Sequence, residues 1–227
     1  MKVVSLAVLC LLSSVLTFGQ VDWSPSFVAA HCRGAVIKDG PQAAKITRLA
    51  QWLNPDDLGI QTYLINSDVI NAWTVPADTS HSLVCVPVAL AVWLEGADGE
   101  LAYILAHEFG HAIDESCGTR EGRAKLAEKS KSPFTLLFGS SNGTESSDSR
   151  RCEMRADLRA FMLMANAGIN TDDAIAALKR LQAASHDHRK GPIGRLSAIN
   201  ASHPLLSDRI KQMERLQQSF REKEQRK

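Results

Sequence analysis

Three residues in the stretch LAYILAHEFGHAID, Leu101 to Asp114, have the types and spacing for metal chemistry: His107, Glu108 and His111. Residues four apart on an α-helix share a face, so two imidazoles can reach one metal ion. Glu108 sits beside them and can take a proton from a water activated by that ion. H-E-x-x-H on a helix is the pattern in which two histidines hold zinc and the glutamate serves as general base. Leu101, Ala102, Ile104, Leu105, Ala106, Phe109, Ala112 and Ile113 make the segment apolar nearly all round, as a buried helix is. Buried histidines and a buried glutamate need partners, and a metal ion supplies one.

A catalytic zinc usually has three protein ligands and one open position. His111 is followed by Ala-Ile-Asp-Glu-Ser-Cys, which holds no further histidine. The best later candidate is Glu153 in CEMRAD. Asp157 lies four residues on, on the same helical face, and can accept the outer N–H of a ligand histidine. The competing role for these two carboxylates is a solvated face paired with Arg150, Arg155 or Arg159.

These residues must be positioned by elements that the pattern outlines. Asp98 can cap the helix that carries HEFGH, Glu100 suits its first turn, and Cys117-Gly118 marks its end. Pro41 to Leu53 reads as a helix through Ala44, Ile46, Leu49, Ala50 and Leu53. Gln61 to Ile65, Val69 to Val75 and Ser82 to Val86 read as strands, and Pro87 to Leu94 as a short helix. Further helices are expected over Arg151 to Ala165, Asp172 to Ala184 and Leu205 to Arg221. Val21 to Gly40 shows no decisive pattern. Residues 119–150 form a polar, Ser-rich stretch, expected as a loop between the two halves of the site. The fold class expected is α+β: mainly helical, with a small antiparallel sheet.

Composition excludes several other functions. Of 227 residues, 44% are hydrophobic and 22% charged, as in an ordinary globular domain. A net charge of +1 gives no general attraction to nucleic acid or to an anionic membrane, and no nucleic-acid-binding motif is present. Lys2, the apolar run Val3 to Leu16 and the small residues before Gln20 read as a signal peptide over 1–19, leaving one domain over 20–227. That run falls short of the roughly twenty apolar residues that span a bilayer, and no other run reaches that length. The chain is therefore expected to be exported, periplasmic or secreted, without a transmembrane span once cleaved. Cys32, Cys85, Cys117 and Cys152 then suggest disulfides, with three possible pairings. Cys117 follows the HEFGH helix and Cys152 precedes Glu153. If Glu153 reaches the same metal, Cys117–Cys152 is favoured, and Cys32–Cys85 by elimination.

Four segments together resemble the M48 family of zinc metallopeptidases, which includes the CAAX-prenyl and HtpX-type proteases and periplasmic outer-membrane quality-control proteases. They are Asn71-Ala-Trp-Thr-Val-Pro76, Glu100-Leu101 running into His107-Glu-Phe-Gly-His111, Glu153-Met-Arg-Ala-Asp157, and Ser202-His-Pro204 with Arg209-Ile210. The resemblance implies a zincin-like domain with one Zn2+ per chain, held by His107, His111 and Glu153, with Glu108 as general base. It implies that His203 and Arg209 stabilise the oxyanion, and that Asn71, Ala72 and Trp73 lie on an edge strand that holds extended polypeptide. Against that resemblance, membrane members of the family carry several transmembrane helices and periplasmic relatives often carry a C-terminal helical-repeat domain, and neither is expected from these residues. The function expected is zinc-dependent endopeptidase activity on exported or misfolded proteins. The alternative is a zinc-containing, non-catalytic binding or chaperone-like protein with a covered site.

Overall fold

A computed structural model describes residues 21–54, 58–114, 147–186 and 206–225. The expected signal segment, residues 119–146, Cys117 and His203 lie outside the described residues. In chain order the elements are α1 (Pro25–Cys32), β1 (Ala35–Val36), α2 (Pro41–Leu53), β2 (Ile60–Asn66), β3 (Trp73–Pro76), β4 (Ser82–Pro87), α3 (Val88–Trp93) and α4 (Asp98–Ile113). After these come α5 (Ser147–Asn166), α6 (Asp172–His186) and α7 (Leu206–Glu224). The architecture is mainly helical with one small sheet, compatible with the α+β class. No helix among the described residues is long and apolar enough to cross a membrane.

The sheet is mixed, which corrects the expectation of an antiparallel one. Its four strands run in the order β1-β2-β4-β3. β1 pairs antiparallel with β2, and β3 with β4, but β2 and β4 are parallel. The cause is the composition of β4, SLVCVP, whose residues are all buried. A strand apolar on both faces belongs at the centre of a sheet, so β4 inserts between its predecessors. β3 ends in Pro76, which lacks an N–H for a ladder and suits the edge it occupies.

Alternation along the strands gives the sheet two covered faces. Ile60, Leu64, Val84 and Val86 point into the main core, with Leu49 and Leu53 of α2, Leu101 and Leu105 of α4, Met164 of α5 and Leu178 of α6. Ile65, Leu83 and Cys85 point the other way, onto Val28 and Cys32 of α1. The α1 segment carries apolar residues on several sides, so no stripe announced it in the sequence. Ser24 caps it, accepting the Phe27 N–H at 3.2 Å. Cys32 and Cys85 form a disulfide with 5.5 Å between their Cα atoms, as the pairing argument expected. Cys152 is also disulfide-bonded, while Cys117, its expected partner, lies outside the described residues.

Boundaries shift at several places, and α4 ends at Ile113, short of the end expected at Cys117-Gly118. α4 begins with Asp98 inside its first turn and Ala97 as its N-cap, so Asp98 is not the cap. Asp98 instead pairs with Lys45 of α2 at 2.6 Å. The β3 strand is shorter than expected, leaving Asn71 and Ala72 in the approach to it. Residues 147–150, expected in the loop, belong to α5.

Candidate metal centre

The helix α4 is buried along most of its length, which places His107 and Glu108 inside the molecule at 5% exposure each. Its neighbour is α5, and Gly110 allows the approach. A Cβ at that position would stand 2.7 Å from the Ala156 carbonyl oxygen and 2.9 Å from the Ala156 Cα. Just beyond, the buried Asp114 receives Arg159 at 2.7 Å and Arg155 at 3.2 Å, and Arg159 also donates to the Gly110 carbonyl at 3.1 Å. Thus Arg155 and Arg159, which competed for Glu153 and Asp157 in the sequence, hold the end of α4 instead.

This docking brings Glu153 to the two histidines. His107 Nε2 and His111 Nε2 are 3.1 Å apart. Glu153 Oε2 is 3.3 Å from His107 Nε2, and Glu153 Oε1 is 3.3 Å from His111 Nε2. Ligands about 2.0–2.1 Å from a tetrahedral zinc stand roughly 3.3–3.4 Å from one another, so each of these separations, with one Glu153 oxygen towards each histidine, is close to that between two ligands of one zinc. His107, His111 and Glu153 are a group that could hold a metal ion.

The surroundings agree with that donor set. Asp157 Oδ1 lies 2.8 Å from His107 Nδ1, which fixes Nδ1 as the protonated nitrogen and turns Nε2 towards the ligand position. Asp157 is fully buried and also accepts from Tyr103 Oη at 2.6 Å, Arg209 Nε at 2.8 Å and Arg209 Nη2 at 2.7 Å. Glu108, Glu153 and Asp157 are three buried carboxylates against one buried guanidinium, Arg209. With neutral histidines the cluster carries an excess of negative charge that a divalent cation would neutralise.

Titration follows from these contacts. Burial and the Arg209 charge oppose protonation of His107, but hydrogen bonds to Asp157 and Glu153 outweigh them and push its pKa to about 9 in the metal-free chain. Burial opposes ionisation of Asp157, yet Arg209 and His107 hold its carboxyl well below the usual range. Burial and the Asp157 carboxylate raise Tyr103, keeping its hydroxyl a donor.

Glu108 faces the sheet edge. The Thr74 hydroxyl of β3 lies 2.8 Å from Glu108 Oε2 and 2.9 Å from the Glu108 carbonyl oxygen. A cavity of about 20 Å3 adjoins it, bordered by Asn71, Tyr103, His107, Glu108 and Arg209 and closed by apolar side chains such as Leu90 and Leu181. That is room for roughly one water.

The remaining expected site residues are placed unevenly. Asn71 borders the cavity, but Ala72 is buried at 1% and the Trp73 side chain packs on the α1 face of the sheet. Neither of those two lines the cavity. Arg209, expected at the oxyanion, directs Nε and Nη2 to Asp157 and Nη2 also to Tyr103 at 3.2 Å, while Nη1 stands 3.4 Å from Glu153 Oε2. It braces two acidic groups instead of presenting a free fork to substrate. His203 lies outside the described residues. The sequence reading missed Thr74, Tyr103 and Gly110. Tyr103 had a signal, being four residues before His107 on one helical face. Thr74 and Gly110 had none that spacing alone could supply.

The Peptidase family M48 model matches residues 123–217. The match bears out the family resemblance and supports a metallopeptidase in general terms. It takes in Glu153, Asp157, His203 and Arg209 and begins after HEFGH. No curated protein matches the chain. Among solved structures, Ste24p of S. mikatae is similar at 18% identity and a TM-score of 0.45, over 79% of this chain and 50% of that one. The chain thus spans about half the length of that protein.

Proposed function

We propose that this chain is a zinc metalloendopeptidase of the M48 type, with His107, His111 and Glu153 as ligands and Glu108 as general base. The observation that carries the reading is the convergence of the three side chains, with 3.1 Å between the two histidine Nε2 atoms and 3.3 Å from each of these to one Glu153 oxygen, in a buried site with excess negative charge. Zinc bound there would polarise the scissile carbonyl and lower the pKa of a water. Glu108 would accept the proton of the attacking water and return it to the leaving amine. Asp157 keeps His107 in the tautomer that offers Nε2. Arg209 keeps Asp157 ionised and screens Glu153, a positioning role in place of the oxyanion contact. His203 remains a candidate for that contact, as the resemblance implies.

Polypeptide would bind as an added strand along β3, the sheet edge next to Glu108, through backbone hydrogen bonds. Such binding suits substrates in extended conformation, among them misfolded exported proteins. Export is supported by the apolar N-terminal stretch and by the Cys32–Cys85 disulfide, which suits an oxidising compartment. The test is digestion of a peptide library read by mass spectrometry, with chelator and with zinc restored. Internal cleavage that chelator abolishes and zinc restores is the expected result. Intact peptides with fully zinc-loaded protein would favour the binding-protein alternative.

A further inference from the structure

We propose that Thr74 is the positioning residue for Glu108, coupling the edge strand to the general base. This rests on the reading of Glu108 as base. Glu108 is 5% exposed, so water does little to orient it. Among the described residues, the hydrogen bond to its side chain comes from Thr74 Oγ1, at 2.8 Å from Oε2. The hydroxyl has one proton, and the carboxylate is the stronger of the two acceptors within its reach. Donation to Oε2 leaves Oε1 as the oxygen that can meet a water or a reacting proton.

Three features make Thr74 suited to this work. Its position in β3, paired with Val84 of the buried central strand, fixes its backbone. In the strand's alternation Trp73 and Val75 pack on the α1 side, so Thr74 points to the side of α4. A β-branched side chain is stiff at χ1, which holds the hydroxyl in one direction. The same strand is the edge on which substrate would lie. A shift of β3 on substrate binding therefore acts on the base through one hydrogen bond.

The experiment compares Thr74→Val, nearly isosteric and strand-forming, with Thr74→Ser and wild type, all at verified zinc content. Thr74→Val should keep its fold and its metal, lower kcat by roughly 10–100-fold and change KM by less than about twofold, since a small misplacement of a reacting group costs that order of rate. Thr74→Ser should recover most of the loss. A second readout needs no turnover: binding of a small hydroxamate to the zinc-loaded proteins, whose N–H and O–H can donate to Glu108. Thr74→Val should weaken it about tenfold, and Thr74→Ser by much less. Equal hydroxamate affinity in wild type and Thr74→Val, or equal kcat, overturns the role of Thr74. A wild type that binds hydroxamate through zinc but cleaves no peptide defeats the peptidase reading alone, and the affinities still decide Thr74.

Discussion

At the scale of single residues, the site is a set of mutually dependent charges. Glu153 supplies two contacts, one to each histidine, and offsets Arg209. Glu153→Ala would leave two neutral ligands beside a buried guanidinium, so metal should be lost. Elemental analysis should find well under one zinc per chain, and full occupancy would remove Glu153 from the ligand set. His107 gives a pH signature. Its pKa near 9 means that a proton occupies it in the metal-free chain throughout the neutral range. Zinc must displace that proton, so apparent affinity should climb with pH by about tenfold per unit and level off near 9. Competition titrations from pH 6.5 to 9.5 would show this. A plateau already at pH 7 would mean that Asp157 and Glu153 do not hold the proton there.

At the scale of elements, the contact that matters is α4 on α5. HEFGH was readable as a metal motif from spacing alone, because i and i+4 on a helix is a fixed geometry. Glu153 was readable by the number of ligands zinc requires. What could not be read was the approach of the two helices, which depends on Gly110 meeting Ala156. Gly110→Ala places a methyl 2.7 Å from a backbone oxygen, and the helices must part. It should cost about 1–3 kcal/mol of stability, as overpacking does, and lower zinc affinity as Glu153 moves off the histidines. Thermal melts and metal titration would check this together. A stable variant with unchanged affinity would show that α5 can follow the shift. The sheet teaches the same lesson. β2, β3 and β4 were legible as strands and the two-residue β1 was not, but the order β1-β2-β4-β3 is a tertiary choice driven by the two-faced burial of β4.

At the scale of the whole molecule, two apolar layers share one sheet. The larger holds the site; the smaller holds α1 against β2 and β4 and is closed by Cys32–Cys85. That layer was invisible in the sequence beyond its cysteines, since α1 has no apolar stripe. The bridge spans 53 residues, and loop-closure entropy assigns such a cross-link about 4 kcal/mol. Replacing both cysteines by alanine should lower stability to chemical denaturant by about 2–5 kcal/mol while leaving zinc stoichiometry at one. Loss of zinc in that variant would mean that the small layer supports the site more directly than the packing indicates.

The central claim is that Glu108 moves the proton and does not hold the metal. Glu108→Gln keeps the size of the side chain and its place beside Thr74 but removes the base. Zinc content and peptide cleavage measured on the same preparation decide the matter. The account predicts one zinc per chain and cleavage reduced by at least about a hundredfold. A zinc-loaded Glu108→Gln variant that cleaves peptides at the wild-type rate would contradict it.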